Sequence, residues 1–327
     1  EAASFVDPEI LTVGAEKIEA FLAAEPRLAP YAFGLRDTLR QAEHTLPPEQ
    51  EALLSRTGLI AGKFSDVYEQ LTISDLPFPE VELPGIGTVT LNQTNYVRYR
   101  GHADRAVREK VFQEFWKAYA GYTSTLGTLL DSEVQKNWFY ASTRKYDSTL
   151  AGTFDSQKIP VEVYTSLVRD VRANLAVLHR AIALRGRILG IEHQGYHDVY
   201  VSIVPEVDMT YDYDASADIL AAALAPLGDD YVATLRQGIT GWVDVAPRDG
   251  KQTGAYSNGI WYDGHPWVLM NWDGGYDSLS TLAHEFGHAM HSHLSNATQP
   301  FPTSRYSGML AEIASTFNEV LLKEQLL

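Results

Sequence analysis

Four of the chain's ten histidines fall within "TLAHEFGHAMHSHL", residues 281–294. On a helix turning about 100° per residue, His284 and His288 lie about 40° apart, one turn from each other. Leu279, Leu282, Phe286 and Met290 gather on the opposite side. The spacing therefore predicts an amphipathic helix with a buried apolar face and imidazoles on the other. Histidines at i and i+4 can chelate one zinc ion at about 2.0–2.1 Å per bond. Glu285 stands beside the pair, placed to reach a water rather than the metal. His-Glu-x-x-His on a helix serves zinc peptidases for that reason. An ordinary solvated histidine face is the competing reading.

A tetrahedral catalytic site needs a third protein ligand and a position left for water. A pattern with glycine at position 291 and histidine at 294 would supply it shortly after the pair, but the chain has His291 and Leu294. The alternative is a carboxylate on a second helix. "SGMLAEIASTFNEVLLKEQLL" offers Glu312, reached from His288 across a loop holding Pro300, Pro302 and Gly308. On that helix Leu310, Ile313, Ala314, Phe317 and Leu321 are expected to face the core, with Glu312 and Glu319 on the other side. Glu312 is the expected third ligand. Glu319 either orients a ligating histidine or forms a surface pair with Lys323; both readings stand. His291 is expected to line the site and His293 to lie at the surface. His179 reads as structural, and His193 with His197 in "HQGYH" lacks an intervening glutamate and is not expected to bind metal.

The elements that must position these groups read as mainly α with a small β-ribbon. At 327 residues and 45% hydrophobic, the chain can bury a large core as one large domain or two smaller ones. Helical patterns fill the first stretch. "LPFPEVELPGIGTVTLNQT" then predicts a hairpin turning at Pro84-Gly85, with a boundary near Asn92. This divides the chain into a helical segment, 1–91, and a catalytic domain, 92–327. A long helical region follows, with Val107, Val111, Phe115, Ala118 and Tyr122 on one face. A further helix is expected to begin at Pro160 and end at Gly190. "GAYSNGIW" and "PWVLMNW" read as a second hairpin leading through Asp273-Gly274-Gly275 into the histidine helix. "PWVLMNW" either pairs with an extended peptide or packs in the core through Val268 and Met270.

Charge and composition exclude several classes. A net charge of −16 argues against nucleic acid as partner; it can steer cationic peptides or simply maintain solubility. No apolar run of about eighteen residues indicates a membrane span. With no cysteine, a metal must take His, Asp or Glu. "EAASFVDPEI" lacks a secretion pattern, and a cytoplasmic location is expected.

At "LAHEFGHAMHSHL" followed by "AEIASTFNEVLL", the chain resembles oligoendopeptidase F, in the thimet-oligopeptidase-like group of zinc peptidases. The resemblance extends upstream through "DVAPRDGKQTGAYSNG" and "HPWVLMNWDGGYDSLSTL", and more loosely back to residue 1. It implies a zincin-like, thermolysin- or neurolysin-like body with a deep channel for short peptides. It implies one Zn²⁺ per chain on His284, His288 and Glu312, with Glu285 as the catalytic glutamate. The implied activity is endoproteolysis of unstructured oligopeptides inside the cell. Members of the family continue beyond both ends of this chain, and a C-terminal part normally supplies tyrosine and histidine groups that stabilise the oxyanion. Tyr256 and Tyr306 are neighbours of the site, not substitutes. "NEVLLKEQLL", with Val320, Leu321, Leu322, Leu326 and Leu327, is accordingly expected to need the missing C-terminal part of its own polypeptide. Two rival functions stand beside this one: a catalytically inert helical peptide-binding or scaffold protein, and a zinc exopeptidase, which would need to capture a terminal charge.

Overall fold

The hairpin expected at Pro84-Gly85 forms: β1 (Glu80–Leu83) runs antiparallel to β2 (Gly87–Thr90), with Val81 opposite Val89. In this computed structural model, which describes residues 3–204, 210–248 and 250–327, the hairpin belongs to one of two compact units. That unit is Thr57–Val207; the other joins Glu1–Arg56 to Asp208–Leu327. Asn92, read as a boundary, lies inside the Thr57–Val207 unit and caps the helix Gln93–Tyr99, its side chain accepting from the Asn95 N–H at 2.9 Å.

Within Thr57–Val207, Val81 and Leu83 pack against Val107, Val111 and Phe115 of the helix Arg105–Ala120. Those three residues form the apolar stripe that their spacing of four predicts. Tyr96 stacks on Phe115 with ring centroids 4.1 Å apart. The helix expected between Pro160 and Gly190 is two, Val161–Ala173 and Leu175–Leu189, because the backbone leaves helical geometry at Asn174 (φ −103, ψ 4). Asp198 is wholly buried and bound by Arg105 at 3.0 Å and Arg108 at 2.8 Å. Burial pushes its carboxyl up, but hydrogen bonds from Arg105, the Gly195 N–H and Arg108 outweigh that and hold it well below the usual carboxylate range.

The other unit carries the histidine segment. Its sheet has the order β3-β5-β4: β3 (Val243–Asp244) is parallel to β5 (Trp267–Leu269), and β4 (Tyr256–Asn258) is antiparallel to β5. β5 is thus the central strand, with Val268 and Met270 buried. This corrects the reading of "PWVLMNW" as a strand open to a peptide, since both its sides are taken. Asp273 then prepares the turn, its Oδ1 accepting from the Gly275 N–H at 2.9 Å and from Ser278 Oγ at 2.5 Å.

The histidine helix runs Tyr276–Thr298. Leu279, Leu282, Phe286 and Met290 are all buried, as their spacing predicts. Each such side chain contributes roughly 1.5–3 kcal/mol. They pack among Leu220, Leu235, Ile239 and Trp242 in one continuous core.

The C-terminal helix, Gly308–Leu326, crosses close to the histidine helix; of the expected core face, Leu321 packs against the core and Ala314 is half-buried, but the other three residues turn outward. Leu310, Ile313 and Phe317 are 51%, 62% and 50% exposed, while Ser315, Asn318 and Leu322 are buried. The reason is local. A Cβ at Gly287 would stand 2.4 Å from Ser315 Cα, so the backbones meet where only glycine fits. Asn318 Nδ2 donates to the Ala283 carbonyl at 3.1 Å. A contact this close selects the small and polar stripe. His293, expected at the surface, is half-buried with its ring 5.6 Å from Trp242. No helix among the described residues is long and apolar enough to cross a membrane.

Candidate metal centre

The stripe that the C-terminal helix turns toward the histidine helix includes Glu312, Ser315 and Glu319, successive positions on one helical face. His284 and His288, one turn apart, face them. His288 Nε2 lies 3.2 Å from His284 Nε2. Glu312 Oε2 lies 3.4 Å from His284 Nε2 and 3.5 Å from His288 Nε2. Bonds of about 2.0–2.2 Å at tetrahedral angles put neighbouring ligand atoms about 3.3–3.5 Å apart. The donor set fits zinc in both spacing and chemistry: two imidazole nitrogens and one carboxylate oxygen, with a fourth direction left over. Among the described residues, these three form the group able to hold a metal ion.

The surrounding contacts fix the rings. Glu319 Oε1 is 2.6 Å from His284 Nδ1. An Nδ1–H donating to that carboxylate leaves the Nε2 lone pair pointing at Glu312 and His288. Ser280 Oγ donates to Glu319 Oε2 at 3.3 Å. His288 has a backbone hydrogen bond with Ala311, and burial is the first cause that lowers its pKa, favouring the neutral ring a metal requires. Ser315 Oγ donates to Glu312 Oε2 at 2.8 Å and holds that carboxylate in place. Of the two readings of Glu319, the contact observed is the one with His284.

Glu285 is buried, and its Oε2 has no hydrogen-bond partner among the described residues. Burial pushes its pKa up to about 7; Glu312 adds to the rise and His284 opposes it. A buried, unpaired carboxylate oxygen is costly in a structural role, and a pKa near neutrality suits proton transfer.

His291 lies outside this group. Its ring stacks on Tyr306 at 3.8 Å, and burial lowers its pKa. Tyr306 also shares a hydrogen bond of 2.5 Å with Ser292 Oγ. A cleft of about 420 Å³ opens beside His288, bounded by Ser257, Asn258, Ser292, Arg305 and Tyr306 among others. Tyr256 is on β4 opposite Leu269, 45% exposed, and does not line that cleft. In the Thr57–Val207 unit, His193 is exposed and His197 sits 3.4 Å from Asp198, with no metal-binding group formed among the described residues. His179 is exposed on its helix. Sequence reasoning missed Ser280, Ser315, Ala311 and Arg305. Ser315 had a signal, lying one turn after Glu312 on the same face; a serine before the motif, a backbone carbonyl and a lone arginine had none.

Known proteins match this chain over nearly all of its length. The family model for peptidase family M3 matches residues 99–327, and that for oligopeptidase F matches residues 9–78. Oligopeptidase PepF of Bacillus subtilis is 35% identical over 100% of this chain and 49% of its own length. Group B oligopeptidase PepB of Streptococcus agalactiae is 33% identical over 100% of this chain and 54% of its own. The crystal structure of oligoendopeptidase-F from Enterococcus faecium superposes with a TM-score of 0.70 at 28% identity, covering 99% of this chain and 51% of that one. The chain therefore spans about half the length of the relatives it matches. A match over residues 99–327, including both helices of the centre, shows that this chain belongs to peptidase family M3.

Proposed function

We propose that this chain carries the metal centre of a zinc-dependent endopeptidase acting on short, unstructured oligopeptides. The observation that carries the reading is the convergence of His284, His288 and Glu312 beside a buried Glu285 whose Oε2 has no hydrogen-bond partner among the described residues. Zinc held by those three residues supplies Lewis acidity, which polarises a peptide carbonyl and makes water a nucleophile near neutral pH. Glu285 accepts the proton of the attacking water on its carboxylate and passes it to the leaving nitrogen. Its pKa of about 7 leaves it able to do both. Glu319 holds the His284 ring through Nδ1, and Ser315 holds Glu312. An extended peptide is supported by β4, whose outer edge has no partner strand among the described residues.

The reading includes a longer polypeptide. Relatives are about twice the length of this chain, and Leu310, Ile313, Phe317 and Val320 line the exposed side of the C-terminal helix. Covering that stripe is the role we assign to the rest of the polypeptide, together with supply of the oxyanion donors. The cytoplasmic setting is part of the same proposal.

The test is cleavage of an internally quenched peptide by the zinc-loaded chain and by the polypeptide extended to the relatives' length. Both should lose activity to a chelator and regain it with zinc. The extended form should be faster by about 10²–10³, the effect of a missing oxyanion donor. Chelator-insensitive cleavage, or none in the extended form, contradicts the reading.

A further inference from the structure

The cleft beside His288 contains a cation that bond cleavage does not use. In the unit that holds the metal centre, Arg27, Arg36, Arg40, Arg236 and Arg248 each pair with a carboxylate. Arg305 pairs with none among the described residues, in a chain with 42 acidic side chains against 26 basic ones. Its guanidinium is nonetheless held: Nη2 donates to the Ile260 carbonyl at 2.8 Å, which fixes it on the cleft wall and leaves its other N–H groups for a ligand. Ser257, on the β4 side of the same cleft, has its Oγ buried without a hydrogen-bond partner among the described residues. The cleft therefore presents a cation held on its wall, next to a proposed metal ligand.

We propose that Arg305 makes this cleft a receptor for a substrate carboxylate close to the bond that is cut. Arg305 is then a specificity-determining residue that favours peptides presenting a carboxylate at that position. The inference rests on the peptidase reading for its substrate but not for its measurement. A guanidinium binds a carboxylate through paired N–H donors, and the neutral amide isostere forfeits both the charge and the geometry. The carboxylate is either an acidic side chain or the C-terminus of the peptide, and the two are separable.

Binding is measured by fluorescence anisotropy on the zinc-loaded Glu285→Gln protein, so that no peptide is consumed. The probes are labelled peptides differing only by Glu or Gln at one position, each with a free or an amidated C-terminus. The Glu peptides should bind about tenfold to a hundredfold more tightly than the Gln peptides. Adding Arg305→Gln should bring the two together without moving the Gln peptide, and Arg305→Lys should retain part of the preference. If the C-terminus is the ligand, amidation takes the place of Glu-to-Gln exchange as the weakening change, again only while Arg305 is present. Equal ratios with Arg305 and with Gln in its place, for both comparisons, overturn the proposal. If Arg305→Gln lowers the melting temperature, Arg305→Lys and the ratios of the parent protein decide. Failure to cleave any peptide counts against the peptidase reading, whereas loss of the binding ratio counts against the carboxylate receptor alone.

Discussion

Glu285 is the residue on which the proposed chemistry turns, because burial raises its pKa to about 7 and Oε2 has no hydrogen-bond partner among the described residues. Glutamine has nearly the same shape but cannot accept the proton. The Glu285→Gln protein should keep its zinc and its fold and lose about 10²–10⁴-fold in turnover, the usual contribution of a general base. Turnover per bound zinc near that of the parent protein would remove Glu285 from the mechanism. His284, Glu285 and His288 were legible because i, i+4 spacing puts two imidazoles on one face whatever the rest of the chain does. Glu319 was legible only as a choice between two partners. What decided its contact was the rotation of the helix that carries it, which brings Oε1 to 2.6 Å from His284 Nδ1.

Gly287 is where two elements meet. A methyl group there would stand 2.4 Å from Ser315 Cα and 2.6 Å from the Ala314 carbonyl oxygen. Gly287→Ala should cost about 1–3 kcal/mol by overpacking. It should also weaken zinc binding, since the histidines and Glu312 sit on the two helices forced apart. Thermal melting and a zinc titration check both; unchanged values in each would show that the close approach is not needed. In the other unit, the Asp198 network ties the segment around Gly195 to the helix Arg105–Ala120. Asp198→Asn should cost about 3–5 kcal/mol, the effect of breaking a buried ion pair. Because folding lowers the Asp198 pKa, its contribution is fully present above the ordinary carboxylate value of 3.8 and is lost as pH falls below it. Denaturant melts at several pH values should show the parent protein's advantage over Asp198→Asn shrinking in that acid range. An advantage that grows there contradicts the assignment. The hairpin, the histidine helix and the stripe of Val107, Val111 and Phe115 followed their periodicities. The core face of the C-terminal helix did not. An apolar stripe reports only that a surface is apolar, and here a polar stripe won the contact because Gly287 allows backbone-to-backbone approach.

At the scale of the molecule, the division into two units places Glu1–Arg56 with the metal centre although more than a hundred residues separate them in sequence. Local pattern carries no information on such long-range grouping, so the boundary read at the hairpin had only a local turn signal to rest on. The exposed Leu310, Ile313, Phe317 and Val320 have their counterpart in the length of the relatives, about twice that of this chain. Every part of the functional reading still depends on one claim, that the two helices hold zinc through His284, His288 and Glu312. Metal content after zinc reconstitution and dialysis tests it most directly, measured on the parent protein and on Glu285→Gln, His288→Ala and Glu312→Gln. One zinc per chain is expected in the first two, and loss of tightly bound zinc in the last two with the helical signal preserved. Full zinc retention by His288→Ala, or none in the reconstituted parent protein, would contradict the account.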